Sequence, residues 1–368
     1  MLIFSLSELK TVAAALGRVV PARPVEGSCC KYVRLRCSAG EALLTATDLQ
    51  LWLEVSLSAE SVDGPEEMGD FDVLLPGRLF CDVVSRLQGE TLQLSLETSQ
   101  AKVMAGGSLF LLNTASPDGF PALPEEEEGH SLEVPGHLLR DCVQRVAVCA
   151  SSDLTRGALC GVRMQLEDGA LEMAATDGYT LARTKVALPG TETAALTVPA
   201  DGIRELVRLP AETVNLKFSQ SYLLAEGGRY RLAMRLLDGH YPNYRRLLPG
   251  SDFQPKTKAR LDRKNLAEAL FRLELVAKQA KNILRLELND GLVLSTTAPD
   301  LGSATESVPA QVEGSPITVG ADLRYLSRFL GAAGDEIEVW LTASNQPLFW
   351  RTDADPEYVY LLMPILLQ

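Results

Sequence analysis

Apolar residues follow two different spacings along this chain, and the two alternate from one end to the other. In six stretches they recur three or four positions apart, which predicts amphipathic helices over residues 5–20, 76–87, 135–151, 199–209, 261–281 and 320–333. Between these stretches lie short apolar or alternating runs, such as 32–36, 92–96 and 336–341, which predict strands. Helices mixed with many short strands indicate the α+β fold class.

Short motifs recur along the chain at a spacing of about one small domain, on the order of 100–150 residues. Three pairs carry the repeat: Ala46-Thr47-Asp48 with Ala175-Thr176-Asp177, Asp118-Gly119-Phe120-Pro121 with Asp238-Gly239-His240-Tyr241-Pro242, and Val198-Pro199-Ala200-Asp201 with Val319-Gly320-Ala321-Asp322. Solenoid repeats are much shorter than this. The sequence therefore predicts three tandem similar domains, over residues 1–123, 130–249 and 257–368, each with two helices and antiparallel sheets.

Two polar segments separate the predicted domains. Residues 116–129 hold three prolines and four consecutive glutamates at 125–128, and residues 250–258 are polar with one proline. We interpret both segments as solvated connectors.

The composition is that of a globular protein with little material for a metal or redox site. Hydrophobic residues make up 46% of the 368 positions and charged residues 23%. We expect a cytoplasmic protein, because the N-terminus lacks the basic start of a secretory signal and no apolar run is long enough to span a membrane. Seven cysteines without C-x-x-C spacing predict reduced, mostly buried thiols, and three histidines predict no metal site or cofactor.

Charge is distributed unevenly between the predicted helices and the rest of the chain. The net charge is −13, which at first argues against a nucleic-acid partner. The six predicted helices, however, hold fifteen basic and nine acidic residues, so the remaining chain carries −19. If the helices share one side of the molecule, that side attracts phosphates without reading sequence. Ordinary amphipathic helices with scattered basic residues are the alternative.

Sequence motifs of the common catalytic classes are missing. The chain has no phosphate-binding P-loop, no G-x-G-x-x-G, no G-x-S-x-G and no H-E-x-x-H. Asp48 and Asp177 occupy equivalent places in two repeats, so a pair of catalytic carboxylates is conceivable. A shared role in forming a turn explains the duplication more simply.

The chain resembles the β sliding clamps of bacterial DNA polymerase III along its whole length. Three segments carry the resemblance: Ala175-Thr176-Asp177-Gly178-Tyr179-Thr180-Leu181-Ala182, Asp238-Gly239-His240-Tyr241-Pro242-Asn243-Tyr244-Arg245-Arg246-Leu247-Leu248-Pro249, and Tyr358-Val359-Tyr360-Leu361-Leu362-Met363-Pro364-Ile365. The family typically shows A-T-D-G-H-R-L-A, then G-x-[FY]-P-[DN]-Y-x-x-[VLI]-[LI]-P, and ends near V-V-M-P-M. The second segment is the most specific of the three.

The resemblance implies a DNA-clamp architecture: a head-to-tail homodimer closed into a ring of six similar domains. Such a ring encircles duplex DNA, slides along it and serves as the processivity factor of the replicative polymerase, with no catalytic site of its own. The implied partners are duplex DNA, the replicative polymerase, the clamp loader and other proteins with a clamp-binding motif. Tethering raises the effective concentration of the polymerase at the primer end.

The resemblance also implies three groups of functional residues. An apolar groove for partner peptides would be lined by Leu159, Thr176, Gly178, Tyr179, Leu181, Pro242, Leu247, Leu361, Leu362, Met363, Pro364 and Ile365. The residues expected to face DNA are Arg23, Arg78, Arg86, Arg140, Arg145, Arg156, Arg204, Arg208, Lys264 and Arg324. At the dimer interface, Phe110 and Leu112 of one subunit would face Leu275 and Val276 of the other, with a plain role in the core of the subunit as the alternative for these residues.

Three departures from the family pattern bear on these expectations. Tyr179-Thr180 replaces the usual His-Arg beside the groove, Leu366-Leu367-Gln368 replaces an ending that usually carries arginine, and residues 25–30 replace an apolar loop. The groove is therefore expected to prefer a different peptide. Two other functions stay open on the residues alone: an assembly scaffold that ignores DNA, and an enzyme with a site between repeats that uses Asp177 and Arg245.

Overall fold

Six helices in the described residues carry the fold together with many short strands. The computed structural model describes residues 1–23, 27–38, 40–61, 70–97, 99–124, 130–190, 193–250 and 252–367. The predicted connector glutamates at 125–128 and the C-terminal Gln368 lie outside these residues. The helices are α1 (Leu6–Val19), α2 (Gly77–Arg86), α3 (Gly136–Val146), α4 (Ala200–Leu206), α5 (Arg263–Ala277) and α6 (Leu323–Leu330). All six predicted helices are confirmed, each shorter than predicted.

Every helix begins directly after a strand, and three strands follow it. The order strand–helix–strand–strand–strand therefore occurs six times, twice in each predicted domain. The six groups of strands are β1 (Leu2–Ser5) with β2 (Tyr32–Ser38), β3 (Glu41–Thr47) and β4 (Leu51–Ser58); β6 (Phe71–Pro76) with β7 (Thr91–Leu96), β8 (Gln100–Ala105) and β9 (Ser108–Asn113); β10 (His130–Pro135) with β11 (Gly161–Glu167), β12 (Ala170–Thr176) and β13 (Thr180–Ala187); β14 (Ala194–Pro199) with β15 (Thr213–Phe218), β16 (Tyr222–Gly227) and β17 (Tyr230–Arg235); β18 (Thr257–Asp262) with β19 (Ile283–Leu288), β20 (Leu292–Ala298) and β21 (Gly302–Val308); and β23 (Ile317–Asp322) with β24 (Glu336–Leu341), β25 (Leu348–Thr352) and β26 (Asp355–Leu362). Two extra short strands are β5 (Glu60–Ser61) and β22 (Ala310–Gly314).

The abrupt change from strand to helix explains why the predicted helices were too long. Asp262 and Asp322 end their strands and cap α5 and α6, since their Oδ1 atoms accept hydrogen bonds from the backbone N–H groups of Asn265 (2.8 Å) and Arg324 (2.9 Å). The predicted starts at 261 and 320 therefore fall on strand residues.

The chain divides into two compact units, of which the first consists of Met1–Gly136 and Arg208–Leu236. It contains a five-stranded sheet of order β5-β1-β7-β8-β9 and an eight-stranded sheet of order β10-β15-β16-β17-β4-β3-β2-β6, with antiparallel ladders. In the larger sheet, β4 pairs with β17, with Trp52 opposite Ala233. A continuous sheet therefore joins strands of the first and second predicted domains.

The second unit consists of His137–Val207 and Leu237–Gln368. It contains a nine-stranded sheet of order β14-β11-β12-β13-β26-β25-β24-β18-β22 and a four-stranded sheet of order β21-β20-β19-β23. Here β13 pairs with β26, with Leu181 opposite Leu361. The core of this unit includes Phe329, whose ring centroid lies 5.4 Å from that of Tyr360 and 5.5 Å from that of Trp350.

The repeated Thr-Asp motif forms the same turn in both places. The hydroxyl of Thr47 accepts a hydrogen bond from the N–H of Leu49 (2.9 Å), and the carboxylate of Asp48 accepts bonds from the next two N–H groups. The hydroxyl of Thr176 and the carboxylate of Asp177 make the corresponding bonds between β12 and β13. The turn-forming role of both aspartates is confirmed.

One of the three repeated motifs is out of register in the structure. Pro199 ends a strand and α4 begins at the next residue, whereas the strand that contains Gly320 continues to Asp322. The matched residues at 198–201 and 319–322 are therefore shifted by two positions relative to the helix that follows. The domain boundaries at 123, 130, 249 and 257 stay predictions, because the two compact units cut across the middle domain.

Candidate functional site

The residues expected to line an apolar groove lie in the second unit, around the junction of β13 and β26. Leu181 and Leu361 are buried and lie opposite each other on one face of the sheet. They pack with Tyr241, Tyr244 and Phe349 in one apolar cluster. This cluster forms a floor of fixed shape for the proposed site.

Exposed apolar side chains surround this floor. Tyr179, Leu247 and Met363 are exposed large hydrophobic residues, and Pro242 is exposed as well. A group of large apolar side chains exposed together is typical of an interaction surface. Methionine adds a flexible, polarisable contact that adapts to different ligands. Half-buried Leu159, Thr176, Pro364 and Ile365 complete the set.

Leu362 does not belong to the floor. It lies opposite Thr180 and Leu348, whereas its neighbour Leu361 lies opposite Leu181 and Phe349. Because successive side chains of a strand point to opposite faces, Leu362 is buried on the other side of the sheet. The prediction that it lines the groove was wrong.

The turn at Asp177 fixes the position of Tyr179 at the rim. The Asp177 carboxylate accepts hydrogen bonds from the N–H groups of Tyr179 (3.0 Å) and Thr180 (2.7 Å) and from the Thr180 hydroxyl (3.0 Å). Gly178 has a φ of +85°, a conformation that favours glycine. Arg156 lies beside it and donates to the carbonyl oxygen of Asp177. The sequence at 176–180 therefore encodes a rigid turn that exposes one tyrosine.

The C-terminal segment is attached to this turn and to the neighbouring sheet. The N–H of Met363 donates to the carbonyl oxygen of Tyr179 (2.9 Å), and the N–H of Ile365 donates to that of Gly320 (2.8 Å). A Cβ atom at position 320 would overlap the carbonyl oxygen of Ile365. Glycine at this position therefore lets the C-terminal segment approach the sheet and hold Met363 at the rim.

Tyr179 stacks on Tyr325 of α6, with ring centroids 6.4 Å apart and planes inclined by 16°. The guanidinium groups of Arg328 and Arg324 lie 5.0 Å and 5.9 Å from the centroid of the Tyr325 ring. Arg328 also pairs with Asp177, at 3.4 Å. Sequence reasoning missed Tyr325 and Arg328, because nothing in their local pattern distinguishes them from other residues of an amphipathic helix.

A buried carboxylate lies close to this surface and orders the motif segment 238–249. Glu172 accepts hydrogen bonds from the hydroxyl of Tyr244 (2.6 Å) and from the guanidinium groups of Arg245 (2.8 Å) and Arg183 (2.9 Å). Burial acts to raise the pKa of Glu172, but these hydrogen bonds and charges outweigh it and hold the pKa below its ordinary value. Arg245 thus has a structural partner.

The basic residues expected to face DNA differ in their surroundings. Seven of them are exposed: Arg23, Arg78, Arg86, Arg156, Arg208, Lys264 and Arg324. Arg140 and Arg204 are half-buried and donate to the backbone carbonyl oxygens of Val207 (3.2 Å) and Ala147 (2.5 Å). These two bonds leave the side chains less freedom to reach a phosphate.

Arg145 was wrongly included among the DNA-facing residues. Its guanidinium pairs with the carboxylate of Asp355 at 3.0 Å, and both side chains are largely buried. The Asp355 carboxylate also accepts a hydrogen bond from the hydroxyl of Thr184 (2.6 Å). Arg145 therefore stabilises the packing of α3 on the nine-stranded sheet.

Two sheet edges expose apolar side chains. In the first unit, β9 is an edge strand on which Leu109, Phe110 and Leu111 are exposed, while Leu112 is buried in its own unit. The prediction that Leu112 contacts a second subunit was therefore wrong. In the second unit, β21 is an edge strand, and the adjacent α5 exposes Leu275 and Phe271, with Val276 half-buried.

Within the described part of the chain, no group of three or more His, Cys, Asp or Glu side chains is placed to hold a metal ion. None of its helices has the length and apolar character needed to cross a membrane. All seven cysteines are unbridged, and five of them are buried, which confirms the prediction of mostly buried thiols. Asp177 and Arg245 each have other partners, so these residues give the enzyme alternative no support.

The chain is built of three tandem similar domains, and comparisons with known proteins identify their class. The N-terminal, central and C-terminal domain models of the DNA polymerase III beta subunit match residues 6–124, 133–243 and 245–366. The beta sliding clamp of Synechococcus elongatus is 33% identical over 379 residues, which cover 98% of each chain. These matches establish the class as a DNA polymerase accessory clamp.

Solved structures agree with this class. The DNA polymerase III beta subunit of Thermotoga maritima superposes with a TM-score of 0.91 at 24% identity, over 100% of this chain and 99% of that one. The sliding clamp of Pseudomonas aeruginosa bound to griselimycin has a TM-score of 0.89 at 25% identity, over 100% of both chains. The chain belongs to the family of bacterial β sliding clamps. Its members are processivity factors of DNA polymerase and are not themselves catalytic.

Proposed function

We propose that this protein forms a head-to-tail homodimeric ring that encircles duplex DNA, slides along it and tethers the replicative polymerase and other partners. The tether is the apolar surface built on Leu181 and Leu361. The ring takes part in DNA replication in the cytoplasm and is opened by a clamp loader. Its three domains follow approximately the boundaries 1–123, 130–249 and 257–368.

The observation that carries the dimer is the pattern of strand pairing. Within the chain, the last strand of the first strand group of one domain pairs with the last strand of the second strand group of the next domain, and this occurs twice: β4 with β17, and β13 with β26. Two equivalent strands, β9 and β21, remain as sheet edges in the described residues. They have six and seven residues and so are similar in length. Pairing β9 of one subunit with β21 of another would repeat the same junction a third time.

Exposed apolar side chains support this pairing. On β9, the exposed side chains are those of Leu109, Phe110 and Leu111. Beside β21, helix α5 exposes Phe271 and Leu275. Arg272 of α5 makes a bidentate ion pair with Glu306 of β21, at 2.8 Å for both bonds, which fixes the helix beside the edge strand. An edge strand with exposed apolar residues can pair with a strand of another chain. In a closed dimer this pairing forms the contact between the two subunits.

The charge of the helices supports a DNA partner. The six observed helices carry twelve basic and seven acidic residues, so they have a net charge of +5, while the whole chain has −13. Attraction of phosphates by such residues is independent of sequence, as sliding requires. Exposed Arg23, Arg78, Arg86, Arg208 and Lys264 are the residues that we assign to this contact. Arg140, Arg156 and Arg204 each donate to a backbone carbonyl oxygen and would reach a phosphate only with their remaining donors.

Retention on closed DNA tests the ring. The protein is loaded by its clamp loader onto a nicked circular plasmid, separated by gel filtration, and measured again after one cut by a restriction enzyme. A topological link predicts that the protein stays with the circle and leaves the linear form. Protein that stays on the linear form binds DNA directly, and protein that never stays on the circle does not encircle it; either result contradicts the proposal.

Peptide titration tests the partner surface. A fluorescent peptide with the motif Gln-Leu-x-Leu-Phe should bind with micromolar affinity, about −8 kcal/mol. Deletion of residues 363–368 and the substitution Leu247→Asp should each abolish the binding. Leu301→Asp, at another exposed leucine of the same unit, serves as a matched control and should leave the affinity unchanged. Binding that survives both changes would place the peptide elsewhere.

A further inference from the structure

We propose that Arg324 and Arg328, together with the stacked rings of Tyr179 and Tyr325, form a subsite that binds an acidic side chain of a partner peptide. This inference rests on the proposed function, since it adds a specificity element to the same peptide surface. The subsite adjoins that surface through Tyr179, whose carbonyl oxygen accepts the hydrogen bond from Met363.

The two arginines are held on one face of a short helix. They lie four residues apart on α6, a spacing that places side chains next to each other. Tyr325 lies between them in sequence, and both guanidinium groups lie within 6 Å of its ring centroid. The ring of Tyr179 covers Tyr325 from the turn at 176–180. The hydroxyl of Tyr360 donates to the carbonyl oxygen of Tyr325 (2.7 Å) and anchors the helix at this point.

Each arginine pairs with an aspartate that is more buried than the arginine itself, so the guanidinium groups stay partly exposed at the surface. Arg324 makes a bidentate pair with Asp322, at 3.0 and 2.7 Å; the arginine side chain is 60% exposed and the aspartate 8%. Arg328 pairs with Asp177 at 3.4 Å, with exposed fractions of 43% and 12%. A guanidinium has five N–H donors, and these contacts use only a part of each group. The ion pairs with the aspartates orient the guanidinium groups, and the remaining N–H donors are available to a ligand.

This arrangement suits a carboxylate on a peptide. Two guanidinium groups beside an aromatic pair offer charge-assisted, geometrically defined hydrogen bonds to one planar anion. Nucleic acid presents a run of phosphates and is matched by a series of cations along an extended surface. Here two arginines are combined with two aspartates in one compact cluster next to the rim residue Met363. Arg324 is therefore reassigned from the DNA-facing set to the peptide surface.

The arrangement also accounts for the departure at Tyr179-Thr180. Thr180 is buried, and its hydroxyl donates to the Asp177 carboxylate, where the family pattern has an arginine. Arg328, on the other side of Asp177, supplies a positive charge to the same carboxylate. The cation is thus provided by α6, and the exposed ring of Tyr179 occupies the space above it.

Matched peptides test the subsite. Three peptides carry one glutamate or aspartate before, within or after the motif Gln-Leu-x-Leu-Phe, and each has a partner in which the acid is replaced by its amide. Fluorescence polarisation gives the affinity of all six for the wild-type protein, for Arg324→Gln/Arg328→Gln and for Arg260→Gln/Arg285→Gln. The control arginines are 55% and 50% exposed, lie in the same unit and are also ion-paired.

At least one acidic peptide should bind the wild type about five-fold more tightly than its amide, as expected for a partly exposed ion pair. That preference should vanish in Arg324→Gln/Arg328→Gln and persist in the control. Equal binding of acid and amide at all three positions overturns the subsite alone, because the groove still binds peptide. A preference that survives the double substitution also overturns it. A loss of DNA retention with the acidic preference intact would assign the arginines to DNA instead.

If none of the amide peptides bound, the proposed peptide surface itself would be refuted. Failure of the proposed function can therefore be told apart from failure of the subsite. Thermal unfolding of the double variant checks that the protein is folded. Tyr179→Leu adds a second readout: it removes the stacked ring but no charge, so the ratio of acid to amide affinity should fall, whatever happens to the affinity of the amide peptides themselves. An unchanged acid preference in this variant would exclude the tyrosine stack from the subsite.

Discussion

The proposed dimer makes a specific prediction about Leu275. This side chain is 78% exposed in one subunit and lies on α5 next to the edge strand β21. Burial of a leucine contributes about 1.5–3 kcal/mol, so most of that amount is lost when the side chain is replaced. The substitution Leu275→Glu also places a carboxylate in an apolar contact without a partner, which costs about 2 kcal/mol more.

Each proposed interface is therefore weakened by about 4 kcal/mol. A ring of two subunits contains two such interfaces, so the monomer–dimer equilibrium shifts by about 8 kcal/mol, or nearly six orders of magnitude. Even a nanomolar dimer would then be monomeric at micromolar concentration. The unfolding midpoint of the monomer should change little, because Leu275 is exposed there.

Sedimentation velocity over a range of concentrations measures the effect. The matched control is Leu154→Glu, which replaces a leucine that is 84% exposed outside the proposed interface. We expect the control to remain dimeric and to be retained on circular DNA, and Leu275→Glu to be monomeric and lost from it. A dimer of unchanged strength in Leu275→Glu would refute the assignment of α5 and β21 to the interface.

Three further predictions follow from individual residues. Gly320→Ala should displace the C-terminal segment and weaken peptide binding at least five-fold without a change of oligomeric state, while Gly331→Ala, where a Cβ fits, should leave binding intact. Because the pKa of Glu172 lies below its ordinary value, its stabilising contribution is full above about pH 5 and is lost as the pH falls through the folded-state pKa. The unfolding midpoint of Glu172→Gln, which loses about 3 kcal/mol at neutral pH, should therefore fall less steeply with acid than that of the wild type. Burial raises the pKa of Cys149 to about 12, so iodoacetamide at pH 8 should label Cys29 in the folded protein and leave Cys149 unlabelled; rapid labelling of Cys149 would contradict its burial.

Much of the fold was predictable from local patterns. Helix periodicity identified all six helices, and the Thr-Asp motif identified a repeated turn, because these features depend on residues close in sequence. The six-fold repetition of strand, helix and three strands was not visible. The strands before the helices share little sequence: three end in proline, at 76, 135 and 199, and two end in aspartate, at 262 and 322. The motif match also aligned Pro199 with Gly320, although the two residues lie at different distances from the helix that follows. The end of the strand, and not the motif, decides where each helix begins.

Of the candidate site, only the residues that belong to a recognisable sequence motif were predictable. The resemblance located Leu181, Leu361 and Met363, but it also included Leu362, because a motif cannot say which face of the sheet a residue occupies. Tyr325 and Arg328 come from α6, far from the turn at 176–180 in sequence, and only the tertiary fold brings them together. The prediction that Arg145 faces DNA failed for the same reason, because its partner Asp355 lies 210 positions away in sequence.

The three junctions of the proposed ring differ in one physical respect. The pairings of β4 with β17 and of β13 with β26 join segments of one covalent chain, so their separation leaves the segments tethered at high effective concentration. A pairing of β9 with β21 would join two chains and would depend on backbone hydrogen bonds and on exposed apolar side chains such as those of Leu109, Phe110 and Leu275. Since there are two such contacts, one can open while the other holds the subunits together. In the proposed ring, DNA would therefore enter at a junction of β9 with β21.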